Sequence, residues 1–278
     1  MRTADQPQGT LIAPRAGWAP LDLAELWSYR ELLFFLAWRD VKVRYKQTVL
    51  GAAWAVIQPA LTMVVFSIFF GGLADVPSDG APYPVFAFAA LVPWTFFANG
   101  LTQAANSVVA EEGMIDKVYF PRVTVPLAAV LATLVDLAIA MVVLVAVMLA
   151  YGIVPGWQVV TLPAFVLLAA MAALGAGLWL AALNVQYRDV RYTLTFLVQL
   201  WLFASPVAYP TSLVPSPWDV VYGLNPMVGV IDGFRWALLG TTPAPGTMVA
   251  LSIVVTTSAL IGGLFYFRRM ERTFADVI

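Results

Sequence analysis

Cysteine and histidine, two residue types that carry much of enzyme chemistry, are both missing from this sequence. Without cysteine no disulfide can form and no thiol can act as a nucleophile. Without histidine as well, zinc sites built on these residues, Ser-His-Asp triads and Cys-His dyads are excluded. The GxxxxGK[ST] pattern of a phosphate-binding loop is also absent. We therefore predict a chain that is not an enzyme and that holds no metal.

Charged residues are scarce too. Only 11% of the 278 residues are charged, whereas a soluble domain carries about 25%. Hydrophobic residues make up 61% of the chain, and the mean hydropathy is +0.84. This composition predicts an all-α integral membrane protein that crosses the bilayer several times.

Six apolar segments follow one another along the chain, separated by short polar or charged stretches. At about 1.5 Å per residue, all but one exceed the ~30 Å hydrocarbon core, and the fifth in order is barely long enough. The predicted spans are residues 49–73, 83–110, 123–151, 159–183, 192–209 and 247–267. Residues 49–278 are thus predicted to form one six-span domain, and residues 1–20 a disordered cytoplasmic tail.

The positions of the cations indicate how these spans are oriented. In the six-span arrangement, 14 of the 15 Lys and Arg residues fall on one side of the membrane, and only Arg235 falls on the other. Short cytoplasmic segments retain Lys and Arg. We therefore predict that both termini are cytoplasmic.

Residues 21–48 are predicted to form a basic amphipathic helix in the membrane interface. Its apolar side chains recur at spacings of three, four or seven: Leu23, Trp27, Phe34, Trp38, Val41 and Tyr45. Four cations stand near its end: Arg39, Lys42, Arg44 and Lys46. We interpret these cations as contacts to anionic lipid that fix the topology, with a pyrophosphate headgroup as the alternative ligand.

The segment between the fifth and sixth spans, residues 210–246, is rich in proline and glycine. Asn225 followed by Pro226 is a good helix start, and the helix would end at Leu239. Fourteen residues are too few to span a bilayer, so this helix is predicted to be re-entrant or to lie at the surface. Asp232 and Arg235 are three residues apart on it and can pair.

Polar and aromatic side chains recur at helical spacing within three of the spans, for example Asn99, Gln103 and Asn106 at i, i+4 and i+7. One interpretation is a pathway that offers hydrogen bonds and ring faces to a sugar-bearing substrate. The alternative is a set of helix–helix contacts, which stabilise membrane bundles. The candidate path residues are Trp54, Gln58, Asn99, Gln103, Asn106, Phe196, Gln199 and Phe203.

Asp136 lies near the middle of the third span. A carboxylate at that depth is a functional-site hypothesis by default. We expect no cation at matching depth. The alternative interpretation is a protonated Asp136 that hydrogen-bonds a neighbour such as Thr133.

Residues 111–122 form a predicted cytoplasmic segment that mixes charged with apolar side chains. A solvated loop would not need so many exposed apolar groups. An exposed mixed patch suggests a docking site for another protein. A helix lying on the membrane is the alternative. The candidate docking residues are Glu111, Glu112, Met114, Ile115, Asp116, Lys117, Tyr119 and Phe120.

Five stretches together resemble the permeases of type-2 ATP-binding cassette transporters, specifically those of the polysaccharide-export branch. They are RYKQTVLGAAWAVIQP (44–59), DKVYFPR (116–122), NVQYRDVRY (184–192), SPVAYP (205–210) and NP…FRWALLG (225–240). They cover most of the chain in the right order.

This resemblance implies a homodimeric permease of a bacterial inner membrane, with each copy bound to a separate ATPase that holds ATP and Mg²⁺. Residues 111–120 would then be the coupling helix on that ATPase, with Tyr187, Arg188 and Asp189 as a second cytoplasmic contact. The implied substrates are lipid-linked glycans such as O-antigen, capsule or teichoic-acid-type polymers. Two rival functions are export of a small drug or lipid by a permease of the same family, and a membrane-embedded transferase.

Overall fold

The computed structural model describes residues 23–46, 53–115, 117–187, 189–215, 217–241, 244, 246–271 and 274. These residues are mostly helical and contain no β-strand, in agreement with the all-α prediction. The predicted tail at residues 1–20 lies outside the described residues.

The helices are α1 (Leu23–Ser28), α2 (Arg30–Lys46), α3 (Trp54–Phe66), α4 (Tyr83–Ala110), α5 (Glu112–Ile115), α6 (Thr124–Ala150), α7 (Leu162–Gln186), α8 (Val190–Phe203), α9 (Trp218–Gly223), α10 (Pro226–Leu239) and α11 (Thr247–Met270). A π-helical segment, Ser67–Leu73, extends α3, and a 3₁₀ turn, Trp157–Thr161, precedes α7. The predicted interface helix is therefore two helices, which meet at Tyr29.

Within the described residues, five helical segments are long and apolar enough to cross a membrane. They are Val56–Leu73, Tyr83–Ala110, Thr124–Ala150, Trp157–Gln186 and Thr247–Met270. These bounds agree closely with five of the six predicted spans. The chain is therefore a multi-pass membrane protein.

The fifth predicted span is shorter than the sequence indicates. Helix α8 contains 14 residues and ends at Phe203, so the prediction that it continues to Tyr209 is wrong. The residue before a proline is disfavoured in the helical conformation, and Pro206 follows Ser205 directly. At about 1.5 Å per residue, α8 alone is too short for the ~30 Å hydrocarbon core.

Helix α4 is the centre of the bundle. In the apolar stretch of α4, 78% of the residues are buried, against 11% in Val56–Leu73 (α3 with its π-helical extension) and 22% in the apolar stretch of α11. Helices α6, α7 and α10 pack around it. Small residues permit this close approach: a Cβ added at Gly177 of α7 would lie 2.6 Å from the Cβ of Ala104 of α4.

Helix α10 confirms the predicted start and end, Pro226 and Leu239. The side chain of Asn225 accepts a hydrogen bond from the backbone N–H of Met227 (3.0 Å), and Gly240 ends the helix with a φ of 65°. Most of the helix is buried against α4, α7 and α11. It therefore packs inside the bundle rather than on its surface.

Arg235 of α10 is fully buried, and the predicted pair with Asp232 is not among the ion pairs of the described residues. Its guanidinium instead donates to the backbone carbonyls of Phe86, Val207 and Tyr209 at 3.0–3.4 Å. It also lies 3.5 Å from the ring centroid of Phe86. The irregular turn at residues 205–210 lacks the N–H donors that a helix would provide for its carbonyls. The guanidinium of Arg235 supplies donors to two of these carbonyls and links the turn to α4.

Candidate functional site

A polar cavity of about 220 Å³ opens between α2, α3, α4 and α6. Its walls combine hydrogen-bonding side chains with aromatic and aliphatic ones. The lining residues are Arg44, Tyr45, Trp54, Gln58, Pro59, Val92, Thr95, Phe96, Asn99, Gln103, Thr133, Asp136, Leu137 and Ala140. This is a site that offers amide, hydroxyl and charged groups to a polar ligand within an apolar bundle.

Four of the predicted path residues meet in this cavity: Trp54 and Gln58 from α3, and Asn99 and Gln103 from α4. Within each helix the two residues are four apart, so they stand on one face and point the same way. Trp54 is 53% exposed and stands at the open side. The stripes predicted on the first and second spans are thus the two sides of one cavity.

Asn106, the third amide of the stripe on α4, points elsewhere. Its Nδ2 donates to the carbonyl of Thr102, and its Oδ1 accepts from Asn184 of α7 (3.2 Å). Asn184 also donates to the carbonyl of Ala105 (3.0 Å). Asn106 therefore makes a helix–helix contact between α4 and α7, and its place on a substrate path stays a prediction. In the sequence, Asn184 is only the first residue of the stretch NVQYRDVRY, and its spacing does not predict this contact.

The stripe on α8 does not reach the cavity. Phe196 and Phe203 are 60% and 59% exposed, and Gln199 is exposed beside them. Only Leu194 of this helix is buried. Helix α8 thus presents an aromatic and amide surface outward from the helix bundle.

Asp136 is not isolated, and the prediction that no cation reaches it is wrong. Arg44 donates to one of its carboxylate oxygens and Tyr45 donates to the other. Thr133 instead donates to the carbonyl of Val130 (2.6 Å). Asp136 lies about 18 Å along α6 from its first residue, at 1.5 Å per residue. The end of α2 therefore lies alongside the middle of α6.

The hydroxyl of Tyr45 remains a donor in this arrangement. Burial and the hydrogen bond to Asp136 raise the pKa of Tyr45 well above its usual range. The neutral phenol therefore shares the carboxylate with the Arg44 guanidinium. Because a guanidinium donates to a carboxylate, this is a charge-assisted contact, which is stronger than a neutral hydrogen bond.

The four cations predicted to meet lipid headgroups divide into two kinds. Arg39 donates to both oxygens of Glu111 and also to Asp40 (2.8 Å), and Glu111 raises the pKa of Arg39 above its usual range. Arg44 is held by Asp136, so both arginines have acidic partners within the chain. Lys42 and Lys46 are exposed, and the lipid interpretation stays a prediction for them.

The predicted docking segment, residues 111–120, is partly built into the protein. Ile115 and Phe120 are buried in a cluster that also contains Leu36 of α2 and Val108 of α4. Their apolar character therefore serves the packing of the segment itself. The exposed members of the predicted docking set are Glu112, Lys117 and Tyr119, while Met114 is half-buried and Glu111 pairs with Arg39. Asp116 lies outside the described residues.

Residues 111–122 are also linked to α1 and to the end of α11. Arg122 donates through its guanidinium to the carbonyl of Glu271, and its backbone N–H donates to the Glu271 carboxylate (3.2 Å). Glu25 of α1 is 3.8 Å from Arg268 and accepts from Tyr119 (3.4 Å). At the second predicted contact, Tyr187 is 62% exposed and Asp189 is exposed. Arg188 lies outside the described residues.

Residues 31–239 match the family model described as ABC-2 type transporter. The chain belongs to the ABC-2 type transporter family. The matched residues include the cavity, the segment 111–120 and helix α10. The predicted resemblance is confirmed, and as an ABC-2 permease the chain resides in a bacterial inner membrane.

Curated relatives of this ABC-2 protein match nearly their whole length. It is 31% identical over 263 residues to the O-antigen export system permease protein RfbA of Myxococcus xanthus, which covers 91% of this chain and 98% of that protein. It is 26% identical over 251 residues to the protein of the same name from Klebsiella pneumoniae, with coverage of 89% and 95%. The polysialic acid transport protein KpsM of Escherichia coli is 22% identical over 236 residues, with coverage of 84% and 91%.

Proposed function

We propose that the chain is the membrane permease subunit of an ATP-driven exporter that moves a lipid-linked polysaccharide from the cytoplasmic side across the inner membrane. The observation that carries this proposal is its match, along 91% of its length, to an O-antigen export permease. The cavity supports it, because indole and amide groups such as those of Trp54, Gln58, Asn99 and Gln103 suit sugar rings and hydroxyls.

The energy for export comes, in this proposal, from a separate ATPase subunit that binds ATP and Mg²⁺. The chain has no phosphate-binding loop of its own. The exposed side chains of Glu112, Lys117 and Tyr119 form the contact with that ATPase, and residues 187–189 form a second one. ATP binding can shift the permease only if the ATPase contacts two permease states with different affinity.

We propose that two copies of the permease assemble with two ATPases. A cavity of about 220 Å³ is smaller than the ~300–1,000 Å³ of a pocket for one drug-sized ligand. A polysaccharide therefore needs a wider path, which a second copy supplies at the outward surface of α8. Phe196, Gln199 and Phe203 then line the path or its border as hydrogen-bonding and stacking groups.

The sixth crossing, in this proposal, is made by short segments rather than by one helix. Helix α8 crosses part of the bilayer, and α9 and α10 return into it as re-entrant helices. Irregular backbone at membrane depth is tolerated where it is buried in protein, and Arg235 satisfies the turn at residues 205–210 in this way. This arrangement places both termini in the cytoplasm.

Export of a small drug or lipid is the rival function within the family. The inner membrane transport permease YadH of Escherichia coli, whose name gives no polymer, is 26% identical over 199 residues but covers only 68% of this chain. A transferase is the rival from another class. It is disfavoured because Asp136, the carboxylate in mid-span, is held by Arg44 and Tyr45 and so is a poor general base.

Purification of the tagged chain from its native membranes tests the assignment. We expect a P-loop ATPase at equal stoichiometry. A matched variant, Tyr119→Ala, should lower the amount of bound ATPase, while Tyr151→Ala, at an exposed residue after α6, should not. A chain that purifies alone, or with a glycosyltransferase, contradicts the exporter proposal.

A further inference from the structure

We propose that helix α2 transmits the motion of the ATPase-docking segment to the polar cavity, and that two ion pairs, Arg39–Glu111 and Arg44–Asp136, are its points of attachment. This inference rests on the proposed function. It assigns Arg39, Arg44, Tyr45 and Asp136 as positioning residues for export. In this proposal Asp136 anchors α2 to the cavity wall, a role distinct from contact with lipid or stacking against substrate.

The first attachment joins α2 to the docking segment. Both oxygens of Glu111 accept from the guanidinium of Arg39, in the fork-like geometry that makes arginine–carboxylate pairs strong and directional. Glu111 follows the last residue of α4 and directly precedes α5. A displacement of residues 111–120 therefore acts directly on Arg39.

A shared apolar core reinforces this attachment. Leu36 of α2 is 2% exposed and lies in one cluster with Ile115 and Phe120 of the docking segment. Packed cores do not deform continuously, so groups within one core move together. The docking segment and α2 are consequently one mechanical unit.

The second attachment joins α2 to the cavity wall. Arg44 and Tyr45 each hold one oxygen of Asp136, and all three residues line the cavity. Asp136 lies one turn beyond Thr133 and one residue before Leu137, which line the same wall on α6. A shift of α2 along or around its axis therefore changes the shape and the charge of the cavity.

The part of α2 between the two attachments is suited to transmit a displacement. Arg39 and Arg44 are five residues apart, which is about 7.5 Å along the helix axis and about 140° around it. The two arginines thus hold partners on different sides of one helix. No glycine or proline interrupts Arg30–Lys46, so the helix has none of the usual sites of bending.

The test measures export per ATP hydrolysed by the complex of permease and ATPase in proteoliposomes, together with the yield of that complex. Arg44→Gln and Asp136→Asn should each leave the ATPase bound and hydrolysing ATP, yet lower export per ATP by a factor of about 5–150, the usual range of coupling between sites. Glu31→Gln is the matched control, because it removes an exposed charge from the same helix. Its ratio should equal that of the wild type.

The double variant Arg44→Gln/Asp136→Asn distinguishes transmission from static packing. It removes both charges and keeps polar groups that can still hydrogen-bond. The pair is only partly buried, and removing both members leaves no unpaired charge behind, so the double variant should cost little stability. If the pair only holds the fold together, the double variant exports normally per ATP, and this result overturns the proposal. We expect a complex of normal yield that remains uncoupled.

A covalent replacement of the first attachment provides a second measurement that does not depend on any charge. Because the chain contains no cysteine, Arg39→Cys/Glu111→Cys introduces the only two thiols. We expect low export per ATP in the reduced double variant, and recovery when a short cleavable bis-thiosulfonate joins the thiols. Recovery should disappear again on reduction. A ratio that is the same before and after cross-linking contradicts the attachment.

The wild-type complex separates failure of this inference from failure of the proposed function. If the wild type binds no ATPase or exports no glycan, the proposed function fails and this inference fails with it. If the wild type couples normally and Asp136→Asn couples equally well, only the inference fails.

Discussion

Replacement of Arg235 should destabilise the protein more than replacement of any exposed arginine. The fully buried guanidinium donates to three backbone carbonyls and stacks on Phe86, so Arg235→Met removes all of these contacts and leaves the carbonyls unpaired. Leaving a buried acceptor without its donor costs about 1–3 kcal/mol, so for three carbonyls we expect a loss of about 3–5 kcal/mol, toward the lower end of the sum. The side chain of methionine fills part of the volume, so the loss comes mainly from the polar contacts.

The change is large enough to measure on the purified protein in detergent. For domains of 150–250 residues, 1 kcal/mol shifts the unfolding midpoint by about 2–4 °C, so we expect a decrease of roughly 6–20 °C. Tryptophan fluorescence on heating follows the transition, since the chain contains 10 tryptophans. The unfolding midpoint of Arg235→Lys should lie between those of the wild type and Arg235→Met, because lysine keeps the charge but lacks the planar fork that reaches several acceptors at once.

Arg191→Met is the matched control, because Arg191 is exposed on α8. Its midpoint should stay near that of the wild type. If Arg235→Met unfolds within about 2 °C of the wild type, which is below 1 kcal/mol on the same scale, the guanidinium does not hold the turn at residues 205–210.

Three further predictions concern docking, the outer surface and the bundle. Tyr119→Ala should lower export per ATP hydrolysed, because it removes an exposed aromatic side chain from the docking segment; transport assays in proteoliposomes check this, and normal coupling would remove Tyr119 from the contact. The double variant Phe196→Ala/Phe203→Ala should slow glycan export without reducing the yield of the complex, and an unchanged flux would return both rings to a lipid-facing role. Gly175→Val should prevent α7 from packing against α11, since a Cβ there would lie 2.8 Å from the backbone N of Leu260. A normal yield of folded protein in size-exclusion chromatography would refute this close contact of α7 with α11.

Features that depend on local sequence were predictable. Long apolar runs gave the bounds of five membrane-crossing helices, because hydrophobicity over about 20 residues is sufficient to identify a span. Helix α10 was predictable to the residue, since Asn225 caps its start and Gly240 adopts the left-handed conformation after its end. These signals do not require any knowledge of which helices are neighbours.

Features that depend on the approach of distant segments were not predictable. The Arg44–Asp136 pair joins residues 92 positions apart, and it forms because α2 packs against the middle of α6 rather than lying wholly at the interface. The amide stripe on α4 shows the same limit. Its spacing places three amides on one face, but the neighbours of α4 decide that Asn99 and Gln103 line a cavity while Asn106 binds Asn184.

The sequence predicted that the segment 111–120 contains many apolar residues, but not which of them are exposed. The apolar residues of the segment 111–120 suggested docking, yet Ile115 and Phe120 are buried in the protein's own core. Sequence alone does not divide such residues between internal packing and external contact, because both uses select apolar side chains. The exposed remainder, above all Tyr119, is the part on which the proposed docking depends.

The central claim, export of a lipid-linked polysaccharide, is tested most directly in the native bacterium by depleting the chain and locating its surface glycans. Lipid-linked polymer should accumulate on the cytoplasmic face and disappear from the cell surface, and re-expression of the wild-type chain should restore it, while Asp136→Asn should restore it poorly. If surface polysaccharide is unchanged on depletion and no glycan accumulates inside, the chain does not export such a polymer.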